Sequence, residues 1–311
     1  MFSLPILAQI LWTSLATSTC FVLFALAFAL VLKVNRIFNF AQAAMMTVGF
    51  YAAYTVIGLA GGPGWLGFLA ALAASVGVAV LLEIFGFRPL RRRRASSMFV
   101  FIFALVISEL IAYVIMLVYG TWPATIFPSL FWPVTLVGPV AVSQWDVPAV
   151  VSTIAAIAAL FAFLHVTRSG QFMTAVADNP DLAEFYGITK DRIHLITMIV
   201  AGLLTGLAMF LYGSRAQVQP MSSIDLLLFA IAATIIGGIG NLGGTAITAV
   251  VLGIVQNASV LFIPSEWQGF LLYVFLFTAI VFFPKGIRLP ERRLARSTPT
   301  PSIGADEAGE A

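Results

Sequence analysis

Residues 97–119 read SMFVFIFALVISELIAYVIMLVY, and Glu109 is the single charge in the stretch. As a helix it would run about 35 Å at 1.5 Å per residue. That exceeds the roughly 30 Å of hydrocarbon in a bilayer. The apolar residues run on without the strict alternation a transmembrane β-strand needs, so the stretch reads as a membrane-crossing helix. Eight further apolar runs fall at residues 10–32, 38–60, 65–87, 148–167, 193–213, 226–240, 245–263 and 268–283. The run at 10–32 is long and has no small-residue cleavage site, so it is expected to be a retained span and not a signal peptide. The run at 226–240 is short and ends in glycines, so it is either a full crossing or a broken element. The fold class is all-α: a polytopic membrane helical bundle of about eight or nine spans with a glycine-rich broken segment.

The whole chain agrees with that stretch. Of its 311 residues 61% are apolar and 9% charged, against about 25% charged in a soluble domain. Mean hydropathy is +1.03. Too few charges are present to clothe a soluble fold, which excludes a soluble enzyme, a nucleic-acid binder and a disordered chain. Cys20 lies within an apolar run and reads as a small apolar filler. The pI of 9.2 is a matter of topology. If Lys33 and Arg36 are cytoplasmic and nine spans follow, Arg215 alone among the 16 Lys and Arg residues falls outside. Basic residues gather on the cytoplasmic side. The N-terminus is therefore expected outside, the C-terminus in the cytoplasm, and no nucleic acid is called for.

The segments between spans differ in character. Trp122, Trp132 and Trp145 suit an interfacial belt in the 120–147 loop, and Pro123, Pro128, Pro133 and Pro139 stop a regular helix there. A transmembrane domain over 1–290 contains the charged inside loop 168–192, and 291–311 is expected to be a disordered cytoplasmic tail. In the inside loop, Asn179-Pro180 divides two short helices. Asp181 and Glu184 would favour the positive end of the second. Small residues such as Ala177 and Ala183 would let a partner approach closely, and a solvated loop is the plainer alternative.

Several polar residues interrupt the apolar sequence. Asn39-Phe40-Ala41-Gln42 brings two amides between the first two spans, either lining a path or capping a helix at the interface. Gly237-Gly238-Ile239-Gly240-Asn241-Leu242-Gly243-Gly244 matches G-x-G-x-x-G, but neither a preceding strand nor a following acidic residue supports a dinucleotide site. Its glycines permit a sharp backbone break or close helix packing, and broken helices mark transport sites. Glu109 is either a proton carrier or a structural hydrogen-bond donor. Glu83 is expected to pair with Arg88 or to act as a cap. His165 and His194 read as interfacial, and they are too few for a metal site. No phosphate-binding loop occurs in the sequence, so the chain itself shows no ATP site.

Taken in order, these pieces resemble the permease subunit of the branched-chain amino acid ABC transporters, the LivH type, from about Ala16 to Arg288. The resemblance is carried by Asn35-Arg36-Ile37-Phe38-Asn39-Phe40-Ala41-Gln42, Phe87-Arg88-Pro89-Leu90-Arg91 and Arg168-Ser169-Gly170. It continues through Gly187-Ile188, Asp191-Arg192, the 237–244 run and Phe283-Pro284-Lys285-Gly286-Ile287. It implies an importer that pairs with a second related permease, takes a small polar solute from a periplasmic binding protein, and is driven by cytoplasmic ATP-binding subunits. ATP and Mg would be bound there, and this chain would need no cofactor or metal. It would lie in the bacterial inner membrane, embedded in the lipid bilayer. The translocation path is expected near Asn39, Phe40, Gln42, Gly237, Gly238, Gly240 and Asn241, the polar and glycine-rich interruptions of the apolar sequence. It implies coupling to the ATPase through Ala177, Asp178, Asn179, Leu182, Ala183 and Gly187. The family pattern usually carries His-Gly or a similar pair where Gln42-Ala43 stands here, so leucine-like amino acids, other amino acids, urea or amides and aromatic acids all stay open as substrates. The rival reading is a proton-coupled secondary transporter using Glu109. A third is a structural membrane protein.

Overall fold

The structure, a computed structural model, describes residues 4–127, 134–137, 140–262, 264 and 267–282. The 291–311 tail and Phe283–Ile287 lie outside them. The helices are α1 (Leu4–Asn35), α2 (Gln42–Tyr54), α3 (Gly64–Leu81), α4 (Arg88–Arg92), α5 (Ser97–Tyr119), α6 (Asp146–Val166), α7 (Arg168–Asp178), α8 (Pro180–Phe185), α9 (Lys190–Gly213), α10 (Ser222–Gly237), α11 (Leu242–Ala258) and α12 (Gln268–Phe282). Wider π turns extend α2 over Thr55–Leu59 and join α3 to α4 over Leu82–Phe87. Among the described residues, seven continuous helical stretches are long and apolar enough to cross a membrane. The 16 residues of α10 span only about 24 Å, and α12 is similarly short. The 120–147 loop also holds what the prolines concealed, a two-stranded antiparallel hairpin of β1 (Val134–Val137) and β2 (Val140–Ser143).

Helix α1 is the axis of the bundle. Every side chain from Leu23 to Val31 is fully buried, and α1 packs against α6, α9, α10 and α11. A helix apolar on all sides belongs in such a place. The peripheral helices instead bury one narrow stripe of small residues. In α3 it is Gly67, Ala71, Ser75 and Ala79; in α5 it is Val100, Ala104, Ser108 and Ala112. Water supplies no force between helices inside lipid, so close backbone approach has to hold them. Gly202 and Gly206 of α9 provide it: a Cβ on Gly206 would lie 2.9 Å from the Ala71 carbonyl oxygen and 3.0 Å from Leu72 Cα.

Charge gathers at one end. Arg88 and Arg92 both bind the Asp191 carboxylate, at 2.7 and 3.0 Å. Buried Glu83 pairs with Arg91 and not with Arg88. The π turn is the reason: with more residues per turn, positions 83 and 91 align on one face two turns apart.

Candidate functional site

The corner between α1 and α2 places the first set of expected path residues. Ala41 occupies the cap position of α2 without a side-chain cap bond, so Asn39 is not the interfacial cap considered above. Its side chain is buried, with Nδ2 3.9 Å from the Met198 sulfur. One α9 turn earlier, Asn35 Nδ2 donates to the His194 carbonyl at 3.5 Å. Gln42 Nε2 donates to the Phe24 carbonyl at 3.0 Å. Phe40 packs edge-on against Phe101, with centroids 4.9 Å apart. Among the described residues, the buried acceptor oxygens Asn35 Oδ1, Asn39 Oδ1 and Gln42 Oε1 have no hydrogen-bond partner, nor has His194 Nδ1. Each such atom costs about 1–3 kcal/mol. Three amide oxygens in this seam at the corner thus lack a donor among the described residues.

The glycine run forms the corner between α10 and α11. Gly238 and Gly240 adopt φ of +96° and +92°, which glycine alone holds cheaply. A Cβ on Gly237 would lie 2.6 Å from the Gly244 and Thr245 backbones. Asn241 Oδ1 accepts the Gly244 N–H at 2.9 Å and caps α11. The run is thus a turn with close packing, and Asn241 is exposed. Just inside the corner, Thr234 Oγ1 lies 3.4 Å from the Ala25 carbonyl. Thr234 and Gln42 therefore approach consecutive carbonyls of α1 from α10 and α2, with the Thr234 hydroxyl donating mainly to the Ala230 carbonyl at 2.7 Å.

The charged loop folds as the two helices its sequence predicted. Thr167 Oγ1 accepts from Gly170 N at 3.0 Å and caps α7. Asn179 Oδ1 accepts from Asp181 N and Leu182 N at 3.2 and 3.0 Å and caps α8. Gly187, at φ +82°, closes α8. Lys190 Nζ clasps α8 to α9 through Asp181 at 2.9 Å and Glu184 at 2.8 Å. The Lys190 hydrogen bond holds the Asp181 carboxyl below its ordinary pKa. Ala183 is buried against its own chain and Ala177 half-buried, whereas Asp178 is exposed. The large apolar groups the element offers outward are Phe172 of α7 and, more fully, Leu182, Phe185 (85% exposed) and Tyr186 (76% exposed). Sequence gave no reason to prefer those aromatics over any others in so apolar a chain.

Two further groups stand apart from the seam. Glu109 lies on α5, half-exposed, and among the described residues it has no hydrogen-bond or ion-pair partner. At the end of the bundle opposite the arginines, Arg215 binds Asp146 at 2.8 Å and donates to the Ala16 carbonyl at 2.6 Å. Trp12 Nε1 and the Ser143 amide donate to the same carboxylate, each at 3.0 Å. Arg215 was the exception to the charge asymmetry, and that was the only signal its sequence carried.

A bundle of apolar crossing helices around a buried, donor-seeking polar seam, with an amphipathic helix pair clasped to one end, defines a multi-pass membrane permease. The chain belongs to the family described as Branched-chain amino acid transport system / permease component, which it matches over residues 10–280. It is 24% identical to the high-affinity branched-chain amino acid transport system permease protein LivH of Escherichia coli, over 90% of this chain and 94% of that one. It is 27% identical to the probable branched-chain amino acid transport permease protein LivH of Methanocaldococcus jannaschii, over 90% and 91%. The BraD permease protein of Pseudomonas aeruginosa is 24% identical, over 90% and 94%. The solved structure of PsaBC from Streptococcus pneumoniae in complex with Fab overlaps at a TM-score of 0.49 with 14% identity, over 88% of this chain and 90% of that one.

Proposed function

We propose that this chain is the permease subunit of an ATP-driven importer of branched-chain or related small amino acids, with amide- or urea-like solutes as the neighbouring class. The observation that carries the substrate chemistry is the row of orphaned acceptors Asn35 Oδ1, Asn39 Oδ1 and Gln42 Oε1. A solute with an ammonium or amide donor meets them in succession along α1 rather than all at once, and an apolar side chain suits the surrounding core. The path runs by Asn39, Phe40 and Gln42 and past the corner of Gly237, Gly238, Gly240 and Asn241. The partners are a second related permease, a periplasmic binding protein and cytoplasmic ATP-binding subunits that hold ATP and Mg. The arginine-bearing end faces the cytoplasm, with the N-terminus outside and the C-terminus inside. The ATPase docks on α7–α8 around Ala177, Asp178, Asn179, Leu182, Ala183 and Gly187, with Leu182, Phe185 and Tyr186 as its apolar contact. The three relatives named above, each called a permease protein of branched-chain amino acid transport, speak against a self-sufficient proton-coupled carrier, as does the lack of any hydrogen bond between Glu109 and the seam among the described residues.

The test is uptake of labelled leucine by proteoliposomes holding the chain with a second permease, ATPase and binding protein of the same transport system. Uptake should require ATP and all components. Asn39→Leu and Gln42→Leu should abolish it with the complex intact, and Glu109→Gln should leave it unchanged. Uptake by the chain alone under a pH gradient would overturn the proposal.

A further inference from the structure

Arg36 stands first in the corner between α1 and α2, with φ +55°. A side-chain-bearing residue in this left-handed region costs about 1–2 kcal/mol. A contact is visible that repays the strain. Arg36 Nη2 donates to the Ala177 carbonyl at 3.0 Å and the Asp178 carbonyl at 3.3 Å. These are the last carbonyls of α7, which no intrahelical N–H can satisfy. They also form the negative end of that helix, where a cation is favoured.

The position of this contact gives it consequence. Immediately beyond Asp178 lies Asn179, the hinge and cap between α7 and α8. Immediately before Arg36 lies Asn35, and three residues after it Asn39, whose amides engage α9 at His194 and Met198. The second helix of the pair and the junction between the two are thus held differently. Lys190 fastens α8 to α9 through side chains on one edge, while Arg36 fastens the end of α7 to the corner that carries the polar seam. Buried Met173 and Val176 seat α7 on the bundle.

We infer that Arg36 is a positioning residue that transmits displacement of the α7–α8 pair to the α1–α2 corner, and through it to Asn39 and Gln42. The inference rests on the proposed docking of an ATPase at α7–α8. A guanidinium bridging two carbonyls moves with them as one body, whereas apolar contact alone lets the two surfaces slide.

The experiment compares Arg36→Ala, Arg36→Lys and Arg36→Gly in the reconstituted complex of permeases, ATPase and binding protein. It measures recovery of the ATPase with the chain, ATP hydrolysis stimulated by the binding protein, and leucine taken up per ATP hydrolysed. Glycine accepts the positive φ, so Arg36→Gly removes the bridge without the strain. The Ala and Gly variants should assemble and hydrolyse ATP, with uptake per ATP falling about fivefold or more, the low end of a typical coupling between sites. Lysine reaches one carbonyl and should restore part of it. An assembled Gly variant with unchanged uptake per ATP overturns the role of Arg36 and leaves the docking reading standing. Equal loss of ATPase recovery in all three variants makes Arg36 a fold element and also overturns it. If the unaltered chain recovers no ATPase, the docking reading falls and this inference with it.

Discussion

Asp146, the first residue of α6, and Arg215, just past the end of α9, form an ion pair at 2.8 Å with both side chains largely buried. The same carboxylate binds Trp12 of α1 and the Ser143 amide of β2, so one charge pair joins three helices and the hairpin. Removing one member of a buried pair strands the other. The expected cost of Asp146→Asn or Arg215→Met is about 3–5 kcal/mol, and the double apolar replacement should cost less than either. Thermal unfolding of the detergent-solubilised protein measures this. Single variants as stable as the parent would mean that water screens the pair.

Topology is open to direct measurement. A reporter active only outside the cytoplasm should be active when inserted in the 120–147 loop and silent when fused after Pro180. Activity at Pro180 would reverse the orientation proposed from the basic residues.

At the α10–α11 corner, Gly237→Leu should abolish uptake and lower the yield of folded protein, because any Cβ there meets backbone of Gly244 and Thr245 at 2.6 Å. Gly240→Leu should also fail, here through its φ of +92°. Gly243→Ala is the control: its Cβ would meet only Asn241 Oδ1 at 3.6 Å, an ordinary contact. Uptake assays with a parallel size-exclusion profile separate the three, and normal uptake by the Gly237 variant would refute the close packing.

Docking should depend on apolar contact more than on charge. Combined Phe185→Ala and Tyr186→Ala should release the ATPase on co-purification. Asp181→Asn should not, because that carboxylate is almost fully exposed and solvent screens such pairs. Ala183 is buried, so Ala183→Trp should distort α8 and act through folding. Recovery of the ATPase by the double aromatic variant would move the docking surface elsewhere.

The clasp between Asp181 and Lys190 gives a pH expectation. Lys190 lowers the Asp181 pKa, so the contribution is fully present above the ordinary carboxylate range and is lost as pH falls through the lowered value. Assembly should therefore be constant between about pH 6 and 8. A change within that range would require a different titrating group.

The spans were legible because a membrane helix must be apolar over its whole length, and α5 appears at Ser97–Tyr119, the bounds of the quoted stretch. The split at Asn179-Pro180 was legible because capping and proline chemistry are local. The central place of α1 was not, since a side chain that suits lipid suits a protein core equally. Glu83 found Arg91 because the intervening π turn leaves no trace in composition. Asp146 and Arg215 meet across long sequence separation, and only the charge asymmetry hinted that Arg215 was unusual. The amides at Asn39 and Gln42 stood out against an apolar background, but their orphaned oxygens required the packing of α9 to become visible.

The enclosure of α1 has a consequence for biogenesis. This helix leaves the ribosome well before three of its neighbours, α9, α10 and α11. Until they arrive, its flanks face lipid. Three of its hydroxyls are already occupied, with Ser18 bonded to the Ser14 carbonyl at 2.6 Å, Thr19 to Ala16 at 2.6 Å and Thr17 to Thr13 at 2.8 Å. A hydroxyl satisfied within its own turn can wait in hydrocarbon at little cost. The same surface thus serves two solvents in succession, first acyl chains and then the helices that displace them.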